Sequence, residues 1–405
     1  MDNKECFINF LKGMIGPGVL SLPTSFKDAG LIPAFIMIIV LGITNTYCMI
    51  QLVECSKYYT MKYKLKTIDY GALAYYSSKE FMKSDTMLTK IFPIIVWTCL
   101  LSLQIGICSV FYVFVGTLSK ELIENTTYIS TKYDIRLYYI GYLLPFLILG
   151  SFKSIRILTI LNLFANILLG LSLLSIFLVL VLSKHSFSEI KYYTNINGFF
   201  TALGTIMYAF EGQALVIPLT NHMKESNSMI NILIWGMTII IIIAECSGVL
   251  GYLTYGNKVA SSITINLEDS KLLLFIKIIF MIVIFISYLI QMFVPIDMAL
   301  PYVKMIVKRE YQNKNYLESI LRIFFVILTS IISILIPNLK SIISIIGVTC
   351  GMILALVCPP IIRTFTFFTL TKSALKIIII DSCIVLLGCI GIIFGLTSTI
   401  KDMML

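Results

Sequence analysis

Charge is scarce in this chain. Only 13% of its 405 residues are Asp, Glu, Lys or Arg, while 58% are apolar and the mean hydropathy is +0.95. That balance excludes a soluble globular domain and leaves a polytopic membrane protein. Histidine is nearly missing: His185 and His222 are the two, both in predicted loops, which argues against a histidine-dependent membrane enzyme. No phosphate-binding glycine loop, no metal-ligand spacing and no Ser/His or His/Asp constellation occurs, so neither enzyme chemistry nor a cofactor is expected. The ten cysteines lie within apolar segments or at their edges, and no disulfide framework is implied. A cleavable leader is not expected, because only Met1 to Glu5 precede the first apolar run and no small-residue cleavage site follows. The net charge of +10 would suggest nucleic acid in a soluble protein. Here it is accounted for by lysine-rich loops at a membrane, and no nucleic-acid partner is expected.

What the chain does have is a broken first span. Gly13-Met14-Ile15-Gly16-Pro17-Gly18-Val19-Leu20-Ser21-Leu22-Pro23 sits inside an apolar segment over residues 6–28. Glycine weakens a helix, and proline lacks the N–H and clashes with the preceding turn. Unwound backbone at membrane depth is tolerated only where it is buried in protein or lines a watery cavity. Proline suits the first position of a helix, so a second half-helix is expected from Pro17, with the amides of Gly18, Val19 and Leu20 at its positive end. That end suits an anion such as a carboxylate. The carbonyls of Gly13, Met14 and Ile15 close the first half and suit a cation. A simple proline kink is the plainer alternative.

Runs of about 20 apolar residues place eleven spans: 6–28, 31–56, 88–120, 135–150, 155–182, 198–220, 227–254, 271–304, 316–336, 339–362 and 374–399. A short amphipathic piece, Thr67 to Tyr76, is expected on the cytoplasmic membrane surface between the second and third, with a partner-docking helix as the alternative. With the N-terminus inside, the inside loops hold 20 of the 31 basic residues, the asymmetry expected of cytoplasmic loops. The C-terminus then lies outside. The one N-x-[ST] sequon, at Asn125, falls in a predicted outside loop and is a glycosylation candidate.

A second break lies five spans after the first. Gly204-Thr205-Ile206-Met207-Tyr208-Ala209-Phe210-Glu211-Gly212-Gln213 carries a carboxylate at mid-membrane, at a cost of about 2.5–3.5 kcal/mol unless it is paired or hydrated. Interruptions at matching places in two halves point to an inverted-repeat transporter with a midplane site. The whole chain, 1–405, is then one transmembrane domain. Its repeats are 6–182 and 198–362, and 374–399 is an additional helix.

These stretches resemble the amino acid/auxin permease family, a branch of the amino acid–polyamine–organocation superfamily, and within it the proton-coupled and vacuolar amino acid transporters. The likeness is carried by Leu11 to Pro23, Lys27-Asp28-Ala29-Gly30, Tyr208-Ala209-Phe210-Glu211-Gly212, Gly251-Tyr252-Leu253-Thr254-Tyr255-Gly256, Ser262 to Leu267, and Val294-Pro295 through Pro301. Each is loose alone, and together they run in the family's order over about three quarters of the chain. The resemblance implies an all-helical, leucine-transporter-like 5+5 inverted repeat with spans one and six broken. It also implies symport of small or neutral amino acids, usually with protons. Carried over, Gly16, Pro17, Gly18 and Val19 hold the substrate carboxylate, the carbonyls of Tyr208, Ala209 and Phe210 hold its ammonium, and Glu211 sits beside them. Proton-coupled relatives carry a histidine in span two where this chain has Tyr47, and an extracellular disulfide for which this chain offers no cysteine.

Lys12, one turn before Gly16, is a coupling candidate that could stand in for sodium, or else a lysine reaching to the headgroups. Span eight reads Ser287-Tyr288 where a sodium site would have Thr-Ser, so the coupling ion is expected to be the proton. Glu211 is then the candidate coupling carboxyl; its alternative is a structural hydrogen bond at the broken backbone. Glu245 and Asp297 are further intramembrane acids, and Ser102, Gln104, Tyr288 and Gln291 are possible pocket lining. The expected function is secondary active transport of amino acids across the plasma membrane or a vacuolar or lysosomal membrane. An amino-acid sensor without net flux, or a sodium-coupled or facilitative transporter, are the alternatives. Beyond the substrate and the lipid bilayer no partner is implied.

Overall fold

The computed structural model describes residues 1–84, 86–126, 133–150, 155–183, 185, 190–267, 271–307, 314–368 and 374–404. Every regular element among them is helical: α1 (Asn3–Met14), a 3-10 turn (Pro17–Ser21), α2 (Leu22–Ala29), α3 (Leu31–Tyr63), α4 (Tyr70–Met82), α5 (Met87–Thr126), α6 (Ile135–Gly150), α7 (Ile155–Leu182), α8 (Ile196–Ala209), α9 (Gln213–His222), α10 (Met229–Tyr255), α11 (Ile263–Asn266), α12 (Lys271–Gln291), α13 (Phe293–Ile306), α14 (Lys314–Leu335), α15 (Leu339–Ile346), α16 (Cys358–Phe367) and α17 (Ala374–Met404). Two π-helical segments, Gly347–Gly351 and Ile353–Val357, join α15 to α16. Among the described residues, nine helices are long and apolar enough to cross a membrane. The pair Asn3–Met14 and Pro17–Ala29, bent by 42°, makes a tenth, and Ile135–Ile148 is a shorter apolar helix. With that helix counted, the eleven expected spans all have helical counterparts.

The chain divides into two compact units. The first holds residues 1–100, 187–257 and 343–405; the second holds 101–186 and 258–342. Each draws on both halves of the sequence.

In the first unit, the chain entering α8 is stitched to the corner between α2 and α3. Leu31 N–H donates to Lys191 C=O at 2.9 Å, Ile32 N–H to Tyr192 C=O at 3.2 Å, and Thr194 N–H to Ala29 C=O at 3.1 Å. The corner turns on Gly30, whose φ of +95° lies in the region open to glycine. A Cβ there would also fall 2.6 Å from Tyr193 Cα. The α8 N-terminus is closed by Asn195, whose Oδ1 accepts from Gly198 N–H at 2.6 Å. These bonds lock the second piece of the first broken span beside the first piece of the other.

Helix α4 starts at Tyr70 rather than Thr67, capped by Asp69 Oδ1 accepting from Ala72 N–H at 2.7 Å. It does not simply lie on the surface. Tyr70 O–H donates to Leu354 C=O at 2.8 Å, and Phe81 stacks on Phe365 at 4.5 Å between centroids. Its aromatic face found a protein partner in α16 and the π segment.

The second unit packs around an aromatic core. Tyr112 stacks on Phe146 at 4.5 Å, Phe146 meets Tyr288 edge-on at 4.4 Å, and Tyr112 O–H donates to Tyr139 C=O at 2.7 Å. Two buried cations are paired there: Lys277 with Glu121 at 2.6 Å, and Arg322 with Glu318 at 2.7 Å. Arg322 also lies over the Phe293 ring at 4.0 Å. Cations at membrane depth are tolerated when matched in this way.

Candidate functional site

The first break is built as its residues require. α1 closes at Met14, Ile15 and Gly16 are extended, and the chain restarts as a 3-10 turn with Pro17 at its first position. That tight restart takes up the Val19 amide, which donates to Gly16 C=O at 3.3 Å, and the i→i+3 pattern of the turn takes up Leu20, leaving the Gly18 amide. The Val19 carbonyl accepts from Ser247 Oγ at 2.8 Å, which ties the restart to α10.

In the second break, α8 ends at Ala209. Phe210 N–H donates to Ile206 C=O at 3.1 Å, Glu211 N–H to Tyr208 C=O at 3.2 Å, and α9 restarts at Gln213. The two pieces remain within one span, Ile196–His222. Its backbone is held by a residue that sequence reasoning passed over. Asn45, fully buried on α3, donates through Nδ2 to Phe210 C=O at 2.8 Å and accepts at Oδ1 from Gln213 Nε2 at 2.6 Å. A buried amide that satisfies unwound backbone meets a strict demand, since each unpaired polar group there costs about 1–3 kcal/mol. The signal was available as an asparagine in the apolar α3, but its partner is 165 residues away.

The two breaks touch. A Cβ on Gly18 would lie 3.1 Å from the Tyr208 ring and 3.3 Å from Ala209 Cα, and one on Gly212 would run into Met14 Sδ. A Cβ on Gly16 would meet nothing within 4 Å. Gly16, Pro17, Gly18 and Val19 are thus brought together with Tyr208, Ala209, Phe210 and Glu211, and Gly16 faces open space. Both Glu211 carboxyl oxygens are buried without a hydrogen-bond partner among the described residues. Oε2 lies 3.8 Å from where a Gly351 Cβ would be, beside the first π segment. π-helical turns recur at functional sites because they re-aim side chains and free backbone groups.

A family model for transmembrane amino acid transporter proteins matches residues 2–401. The chain belongs to that family. Among curated proteins it is similar to the probable amino acid transporter skat-1 of Caenorhabditis elegans, 26% identical over 404 residues covering 96% of this chain and 87% of the relative. It is also 26% identical over 411 residues to the proton-coupled amino acid transporter-like protein pathetic of Drosophila melanogaster, covering 99% and 85%. Among solved structures it aligns with MhsT in complex with L-phenylalanine at a TM-score of 0.57, with 12% identity and 98% of both chains covered. The fold is therefore the all-helical, leucine-transporter-like one, and this family is one of transporters rather than enzymes.

The remaining candidates are dispersed. Lys12 is exposed on the last turn of α1, at the negative end of its dipole. Ser102, Tyr288 and Gln291 belong to the second unit. Ser102 is exposed there. Tyr288 is fully buried, its hydroxyl 2.8 Å from Thr329 Oγ1, and Gln291 donates to Gln104. Asp297 is exposed on α13, and Glu245 on α10 has both oxygens buried without a partner among the described residues. Asn125 lies at the end of α5, while Thr127 of its sequon is outside the described residues. Tyr47 accepts from Arg363, which also lies 3.6 Å from Asp381. Asp381 in turn accepts from Gln51 at 2.8 Å and Thr364 at 3.1 Å. Tyr47 is thus held in a part-buried polar cluster with Arg363 and Asp381.

Proposed function

We propose that the chain is a secondary active transporter of small neutral amino acids, coupled to protons, working by alternating access about the two breaks. The observation that carries this reading is the abutting pair of breaks, with open space at Gly16 and an unpartnered carboxyl at Glu211. The substrate carboxylate would take the restart at Gly16 to Val19. Its ammonium would take the carbonyl end of α8 at Tyr208 to Phe210, where the helix dipole is negative.

The coupling follows from Glu211. Closing the site removes water from a carboxyl that has no hydrogen-bond partner among the described residues, and an ionised form there would be uncompensated in low dielectric. The neutral acid is the form that this cradle accommodates, so closure takes up a proton from the substrate side. Lower pH on that side fills the neutral form and raises uptake, by at most about tenfold per pH unit for one proton. Uptake in vesicles is expected to survive replacement of sodium by choline and to rise as the substrate-side pH falls. Glu211→Gln should flatten that profile while leaving substrate exchange less affected than concentrative uptake. A sodium requirement, or an unchanged profile in the variant, would sink the mechanism.

The same reading puts the N-terminus in the cytoplasm of a cell or organelle membrane, from the clustering of Lys and Arg. A reporter inserted after Lys64, in the turn between α3 and α4, should lie on the cytoplasmic side. One fused to the C-terminus should lie on the opposite side. Finding both on one side would refute an odd number of spans.

A further inference from the structure

A groove of about 540 Å³ runs between α1 and the start of α10. One wall is a single face of α1, with Lys4 in its first turn and Phe7 and Ile8 a turn deeper. The other is a single face of the opening of α10, with Ser228 and Asn231 first and Trp235 deeper. Seven residues of helix separate Ser228 from Trp235, a depth of about 10 Å. The groove is therefore polar and cationic at its water end and apolar further in. It opens to the outside of the protein: Trp235 is 67% exposed and Ile8 49% exposed, on segments that cross the membrane.

The cation at the mouth is not tied to an acid. Among the described residues, the acids that flank it on the chain, Asp2 and Glu5, have other partners. Asp2 pairs with Lys224 at 2.9 Å, which holds its carboxyl below the ordinary carboxylate range, and Glu5 accepts from the Asp2 amide at 3.1 Å. Lys4 makes no ion pair with any described residue. A cation above a lipid-facing apolar slot, flanked by amide and hydroxyl donors, is complementary to a phosphate carried on acyl chains.

We propose that this groove binds an anionic phospholipid of the leaflet on the N-terminal side, its phosphate at Lys4, Ser228 and Asn231 and its acyl chains along Phe7, Ile8 and Trp235. The site is separate from the two breaks, and its occupancy can be read without transport.

The chain has two tryptophans, so Trp97→Phe leaves Trp235 as the sole tryptophan, which is excited selectively over the tyrosines at the red edge of the absorption band. This protein is reconstituted in unlabelled phosphatidylcholine containing a minor fraction of acyl-brominated phosphatidylglycerol. A parallel sample contains the same fraction of brominated phosphatidylcholine. Because one lysine near an anionic lipid contributes about 1 kcal/mol, phosphatidylglycerol should be enriched about fivefold at the groove and quench Trp235 correspondingly more. Lys4→Gln should bring the two lipids to parity. Ser228→Phe, which fills the mouth while keeping Lys4, should do the same. Added inorganic phosphate should leave the quenching unchanged, since it carries no chains to fill the slot. Equal quenching by the two lipids in the parent would overturn the proposal, as would a preference that survives Ser228→Phe, which would mean surface attraction without a groove. Loss of the preference on adding phosphate would mean a site for the free anion and would overturn it as well.

Discussion

Gly16→Val is expected to abolish uptake in a protein that still folds and inserts, whereas Gly18→Val is expected to damage both. The two residues are separated only by Pro17, and their surroundings differ. Gly16 is extended, with φ −138° and ψ −170°, a conformation that a β-branched residue adopts readily. Its side-chain direction is open for 4 Å, so valine there meets no protein atom but occupies the space assigned to the substrate carboxylate. Gly18 points at the Tyr208 ring and Ala209 Cα at 3.1–3.3 Å. One methyl would already press on the second break, and the two further carbons of valine have no room without moving the backbone of α8. Substrate uptake and thermal stability in detergent should be measured on both variants. Loss of uptake by more than about tenfold, or 1.4 kcal/mol of binding, is expected for both. The melting midpoint should fall for Gly18→Val alone. Normal uptake by Gly16→Val would remove the substrate from this stretch.

Gly347→Ala is expected to be the most damaging single-methyl change in the first unit. A Cβ on Gly347 would sit 1.9 Å from the Gly204 carbonyl oxygen and 2.9 Å from Tyr208 N. Both are backbone atoms of α8, so no rotamer change can relieve the overlap. The π segment would have to withdraw from the helix that ends in the second break, and with it the wall beside Glu211. Overpacking typically costs about 1–3 kcal/mol and more where backbone must move. Lower expression and uptake below detection are the expected outcome, with Gly395→Ala a milder comparison because its Cβ would meet only Val348 side-chain atoms and Phe200 C=O at 3.5 Å. Wild-type stability and uptake in Gly347→Ala would show that α8 and the π segment are not in this register.

The location of both breaks follows from covalent structure. Pro17 has no N–H to give and its ring crowds the preceding turn, so a helix through Gly16-Pro17-Gly18 is kinked or broken there whatever surrounds it. A carboxylate between Phe210 and Gly212, inside an apolar run, likewise marks a place where continuous lipid-facing helix is too costly. Span positions, with ends set by hydropathy and basic residues, were legible for the same reason: the bilayer imposes a length on every segment independently of its neighbours.

What hydropathy could not reveal are relationships between distant residues. Periodicity describes one helix at a time. It could not show that Asn45 would satisfy Phe210 and Gln213, or that Arg363 would reach Tyr47 and Asp381. It read residues 339–362 as an ordinary span, although Gly347 and Gly351 lie in a π segment packed against α8. Nor could it separate Gly16 from Gly18, two glycines alike in sequence. By itself the sequence determined where the chain must break, because proline, glycine and a lone carboxylate act on their own backbone within one turn. Only the tertiary structure decided which broken residue faces space and which faces protein, because that depends on side chains brought alongside from nearly two hundred residues away.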